Sequence, residues 1–241
     1  MARPRPILLV HGAWHGAWCW ATLQAELDRR GLPSYAVDLP GHGLSTLPLG
    51  DMHGDAARVA TAIAAIDDEV VLVGHSYGGA VVTHAAGPAH TVSDRIAHLV
   101  YVAAFALDDG ETVAGYLRSR PRIPVAVDEA VITGEDGTSR LDPVAARVAL
   151  YGSCPPPAVD AAIARLGPQP VVAFRQPVAG SARATIGSTY VRCTLDQCVH
   201  IEHQHDMAAR CEHAITLESD HFPLIAMPAA VADVLEPLAT R

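Results

Sequence analysis

The chain has 241 residues, 50% of them apolar, with 18 Pro and 19 Gly and no apolar run approaching the ~18 residues of a membrane-spanning helix, so it reads as a soluble globular domain. Its 17 basic against 26 acidic residues give a formal charge of −9, and every basic residue is Arg. Without Lys, Schiff-base catalysis, a phosphate-loop lysine and a lysine general base are excluded, and without a basic block neither nucleic acid nor an anionic membrane is an expected partner.

Six short apolar runs read as strands: Ile7 to Val10, Ser34 to Val37, Val70 to Val73, Ile96 to Ala103, Thr189 to Thr194 and Ala214 to Leu217. Helical periodicity lies between or after them, over Trp20 to Arg30, Gly54 to Ile66, Gly79 to Ala86, Ile201 to Arg210 and Pro228 to Ala239. This alternation predicts an α/β architecture, a mainly parallel six-stranded sheet with helices covering both faces. Between Leu107 and Arg183 the alternation fails, broken by prolines such as Pro121, Pro143 and the run Pro155-Pro156-Pro157. Amphipathic pieces at Val144 to Leu150 and Ala158 to Leu166 make this a small, mostly helical insertion. The expected division is therefore core over 1–106, insertion over 107–183 and core again over 184–241. A chain this long buries roughly 70 to 75% of its unfolded surface, enough for a core without disulfides or a structural metal.

Five cysteines, an odd number and widely spread, together with an N-terminus lacking a secretory apolar region, predict reduced thiols and a cytoplasmic location. A Cys193–Cys198 pair stays open.

The strongest local signal is Gly74-His75-Ser76-Tyr77-Gly78 at a strand-to-helix junction. Small residues two positions either side of Ser76 permit a sharp turn that lifts its hydroxyl above the sheet edge at a helix N-terminus, where the Tyr77 N–H favours a developing oxyanion. A serine hydroxyl needs a base and an acid to orient that base. Of 13 histidines, His221 follows the last strand at the edge where open parallel sheets bind ligands. Asp196 comes off the penultimate strand and completes the order Ser, Asp, His; Asp108, Asp109 and Asp220 are its rivals. After the first strand, Gly12 allows close backbone approach, and the Ala13 N–H would be the second oxyanion donor, with His11 bridging loops as a buried side chain. His200, His203 and His205 read as solvated helix-surface residues, because no carboxylate or cysteine completes a metal set at familiar spacing; neither metal nor cofactor is expected.

The string from His11 to Trp20, then Asp38-Leu-Pro-Gly-His-Gly43, the serine turn, and the contexts of Asp196 and His221 resemble the α/β-hydrolase fold. Within it they are similar to the branch holding plant methylesterases, the salicylate-binding esterase and the hydroxynitrile lyases. The resemblance spans about residues 5–105 and 185–241. It implies a Ser76, Asp196, His221 triad, oxyanion donors at Ala13 and Tyr77, and a cap domain over the pocket. Lyase members carry a threonine and a lysine where this chain has Gly12 and Phe222, so the group that meets the leaving cyanide is missing, whereas ester hydrolysis needs neither. The expectation is a serine-dependent carboxylesterase acting on small acyl or methyl esters, with Trp14, Tyr77, Phe222 and Leu224 as core-side pocket lining. A carbon–carbon or cyanohydrin lyase and a non-catalytic small-molecule binding protein are the alternatives. If subunits pair, base rates favour a homodimer.

Overall fold

The computed structural model describes residues 3–240. Strand β1 (Ile7–Val10) is followed by helix α1 (Ala21–Arg29), β2 (Ser34–Val37), α2 (Met52–Ala64), β3 (Val70–His75), α3 (Gly78–Ala85) and β4 (Ile96–Val102). The segment beyond β4 carries α4 (Val113–Ser119), α5 (Val127–Ala130), β5 (Val131–Thr133), β6 (Thr138–Leu141), α6 (Pro143–Leu150), α7 (Pro156–Ile163) and β7 (Gln169–Pro170). The chain then returns to the core with β8 (Ser188–Cys193), α8 (Ile201–Ala208), β9 (His213–Leu217), α9 (Pro223–Ala226) and α10 (Pro228–Ala239).

Six strands form one parallel sheet in the order β2-β1-β3-β4-β8-β9. Its middle is apolar because β1 is Ile-Leu-Leu-Val and β3 opens with Val-Val-Leu-Val, and both strands are buried throughout. Helix α1 packs with α10, and α2 with α3. The expectation of covered strands fails at the edges: β9 exposes His213 to Thr216, and β2 is only partly buried, since an edge strand has a neighbour on one side alone.

The insertion contains the expected helices, α6 and α7, but also a three-stranded antiparallel sheet in the order β5-β6-β7 that the sequence reading did not foresee. These strands are too short to carry a periodic pattern, and β7 is the dipeptide Gln169–Pro170. Asp142 caps α6 by accepting from the N–H groups of Val144 and Ala145 at 3.0 and 2.8 Å, and Pro143 occupies the first turn, where no N–H is needed. The insertion is clamped to the first core loop: the Gly167 N–H donates to the Trp14 carbonyl at 2.8 Å, and the buried His42 imidazole meets the Gln169 side chain at 3.1 Å.

Candidate active site

The turn between β3 and α3 places Ser76 in the left-handed region, φ 54°, a conformation that costs a non-glycine residue about 1–3 kcal/mol and is held here by its surroundings. The Ser76 N–H is tied to the Val102 carbonyl at 3.2 Å, and its own carbonyl accepts from Gly79 and Phe105. A Cβ at Gly78 would stand 2.6 Å from the His11 carbonyl oxygen, so only glycine lets α3 start this close to β1. From the other side, a Cβ at Gly12 would come within 2.9 Å of the Ser76 Cβ. The first core loop thus lies directly over the serine.

Ser76, Ala13 and Tyr77 line one cavity of about 470 Å³ between the core and the insertion. Among the described residues, the N–H groups of Ala13 and Tyr77 have no hydrogen-bond partner, so two backbone donors stand free beside the hydroxyl. Trp14, also in the left-handed region at φ 64°, lines the same cavity. Two expectations are corrected here. Phe222 and Leu224 do not reach the cavity; both are fully buried. Phe222 is packed among the rings of His15, His75 and Tyr151, with centroids 4.6, 4.6 and 4.7 Å away, because α9 turns it inward beneath the loop of His221. The walls come instead from Phe105 and from insertion residues such as Val113, Val131 and Phe174.

His221 and Asp196 meet in the interior, Nδ1 donating to Oδ2 at 2.8 Å, with both side chains almost fully buried. Burial works against a charged imidazole, but the Asp196 carboxylate outweighs it and holds the proton affinity of His221 well above the ordinary histidine range. Asp196 accepts three further bonds: Cys198 N–H at 2.7 Å, Val199 N–H at 2.9 Å and Gln204 Nε2 at 3.0 Å. Gln204 also spans Cys193 N–H and the Val199 carbonyl, fixing the whole loop after β8. Nothing in the sequence singled out Gln204; its glutamine would have to be recognised as buried on α8 facing the acid.

One hydrogen bond joins the histidine loop to the serine turn. His75, the residue before Ser76, donates from Nε2 to the His221 carbonyl at 2.8 Å. Cys198 and Val199, whose N–H groups Asp196 accepts, line the cavity with Ser76. The Ser76 hydroxyl makes no hydrogen bond among the described residues, the loose geometry common in such sites before substrate tightens them.

The rival acids are engaged elsewhere. Asp108 pairs with Arg183 at 2.6 Å, Asp109 accepts from the Gly180 N–H at 2.6 Å, and Asp220 accepts from the N–H groups of Ser153 and Phe222. His11 bridges loops, donating to the Gly12 carbonyl and accepting from the Leu39 N–H, and burial pushes its pKa down to about 3. His203 departs from the expected solvated surface: it is buried against the Tyr116 ring. His200 caps α8, accepting the Glu202 N–H at 3.2 Å, and His205 is exposed. All five cysteines are free, so Cys193 and Cys198 do not pair.

A sequence profile of the alpha/beta hydrolase family matches residues 7–234. The alpha/beta hydrolase nvfD of Aspergillus novofumigatus is 29% identical over 240 residues, 95% of this chain and 94% of its own. A carbendazim hydrolyzing esterase of a Nocardioides species is 34% identical over 114 residues, 46% of each chain. The crystal structure of the methylesterase MES16 from Arabidopsis superposes with a TM-score of 0.80 at 25% identity, covering 98% of this chain and 99% of that one. With the parallel sheet, the strained serine turn and this match over nearly its whole length, the chain belongs to the alpha/beta hydrolase family.

Proposed function

We propose that this hydrolase cleaves carboxylic esters through a covalent acyl-enzyme on Ser76. His221 accepts the Ser76 proton as the oxygen attacks the ester carbonyl, and Asp196 fixes the imidazole tautomer and balances the imidazolium that forms. The free N–H groups of Ala13 and Tyr77 hold the oxyanion, His221 returns its proton to the departing alcohol, and water activated by the same imidazole releases the acid. No metal or cofactor enters any step.

The observation that carries this reading is the buried 2.8 Å Asp196–His221 pair beside a cavity that holds a strained serine and two unpartnered backbone donors. Relatives named as a carbendazim hydrolyzing esterase and as methylesterases support esters with small alcohol groups, including methyl. The lyase alternative gains nothing from the site, where Gly12 and Phe222 leave no side-chain donor for a cyanide. Five free thiols support a cytoplasmic setting, and no helix among the described residues is long and apolar enough to cross a membrane.

A fluorophosphonate probe tests the proposal. Covalent capture at Ser76, with turnover of p-nitrophenyl acetate by the same preparation, is expected. Failure to label Ser76 in a folded, monodisperse sample would leave a binding protein on a hydrolase scaffold.

A further inference from the structure

The cavity changes character along its length. It is lined by Ser76 and apolar walls, but two insertion elements that line it each carry an exposed arginine in their last turn, Arg118 on α4 and Arg175 on a short 3₁₀ helix. On α4, Val113 is buried at the inner end, Ala114 is half-buried, and Arg118, one turn further on, is exposed. On the short 3₁₀ helix Val171–Arg175, which packs against α4, Val171 and Phe174 face the cavity and Arg175 closes the element.

Neither arginine has a carboxylate partner among the described residues, although other arginines of the insertion and its surroundings do. Arg120 pairs with Asp206 at 2.8 Å, Arg147 with Asp160 at 2.5 Å, and Arg183 with Asp108 at 2.6 Å. The remaining charged residue at the cavity, Asp128, faces Arg122 at 3.5 Å. A chain with a formal charge of −9 therefore presents two guanidinium groups without a carboxylate partner on a cleft whose walls are mostly apolar. An apolar corridor with a cationic mouth fits an amphiphile whose ends differ in the same sense, and guanidinium forks match carboxylates in shape and charge.

We propose that the ester this enzyme hydrolyses carries an ionised carboxylate at the end remote from the scissile carbonyl, bound at the cavity mouth by Arg118 and Arg175. This rests on the ester-hydrolase reading and specifies its substrate class. The apolar stem lies along Val113, Val171 and Phe174 while the reacting carbonyl reaches Ser76. The carboxylate sits either on the acyl side or on the alcohol side of the ester, and the test separates the two.

In the first arm, p-nitrophenyl monoesters of straight-chain diacids from glutaric to suberic are compared with the same esters bearing a neutral terminal amide. In the second, acetate esters of ω-hydroxy acids are compared with those of the ω-hydroxy amides by titrating released acid. One arm, at one chain length, is expected to favour the carboxylate in kcat/KM by about tenfold at low ionic strength, with the preference shrinking in salt. Arg118→Gln and Arg175→Gln should each reduce the acid-to-amide ratio, chiefly through KM, and the double variant should bring it to about one. A ratio at or below one for every length in both arms overturns the proposal, as does a ratio that survives in the double variant. If p-nitrophenyl acetate is hydrolysed and Ser76 is labelled while no preference is found, only the substrate class falls. If no ester at all is turned over, the function proposed above falls with it.

Discussion

Trp14 and Ser139, 125 residues apart, are joined across the cavity: the indole Nε1 donates to the Ser139 Oγ at 3.1 Å, and that hydroxyl donates onward to the Gln169 carbonyl at 3.3 Å. The contact ties β6 of the insertion to the loop that presents the Ala13 N–H. Ser139→Ala would leave a buried indole N–H unpaired, at a cost of about 1–3 kcal/mol. Calorimetry should show Tm lowered by about 2–10 °C, and ester kinetics a several-fold loss in kcat as the Ala13 donor shifts. A variant indistinguishable from the parent in both measurements would show that the loop is held without this bond.

Ser76→Ala removes the nucleophile and is expected to lower kcat for p-nitrophenyl acetate by a factor on the order of 10⁶, as loss of a nucleophile does in other serine hydrolases. Because the serine occupies a left-handed backbone position, the loss should not come with instability: alanine meets the same backbone strain. Steady-state kinetics paired with thermal denaturation checks both halves. Retention of most of the turnover would mean that another group attacks.

His221 must be neutral to take a proton, and Asp196 holds its pKa well above the ordinary value. Activity measured as kcat/KM should therefore keep rising with pH beyond the ~6.5 of a free imidazole. The folded state binds the extra proton more tightly than the unfolded chain does, so the stability from this charge pair is complete below about pH 6.5 and is lost as pH rises through the folded value. Asp196→Asn should move the acid limb of the kcat/KM profile to lower pH while reducing its plateau by a factor on the order of 10³–10⁴. An acid limb that stays in place would separate His221 from Asp196 functionally.

Asp55 accepts a hydrogen bond from the Tyr77 hydroxyl at 2.7 Å, and burial raises its pKa to about 7 despite that bond. Here the folded state again binds the proton more tightly, so stability falls as pH rises from the unfolded carboxyl value of about 3.9 to about 7. Asp55→Asn keeps an acceptor for Tyr77 and removes the buried charge. It should be more stable than the parent at pH 8 by about 2–3 kcal/mol, allowing for the lost helix-terminus contribution, and equal to it at pH 4. Urea denaturation at the two pH values tests this, and equal differences at both would contradict it.

The parts of this molecule that were readable in the sequence are those encoded locally. Val70 to Val73 announces a buried strand, which the structure extends to His75, and Gly74 to Gly78 a turn that no bulkier residues would allow. His221 and Asp196 could be chosen because each follows a strand at the same sheet edge. Residues whose roles arise from packing between distant segments were not readable. Phe222 looks like pocket lining beside His221, yet His15 and Tyr151 enclose it. Gln204 reads as an ordinary polar residue until α8 turns it toward Asp196. The β5-β6-β7 sheet depends on pairing Ser139 with Gln169 across two helices, a contact with no local signature.

The crowding of Gly12 against Ser76 restricts how this chemistry could be rerouted. A Cβ at position 12 would stand 2.9 Å from the Ser76 Cβ and 3.2 Å from the His75 carbonyl oxygen, so a larger residue there requires the serine turn itself to shift. Drift toward new substrates therefore has an easier path through the roof, where the exposed Leu117 and Arg118 can be exchanged without disturbing the reacting centre.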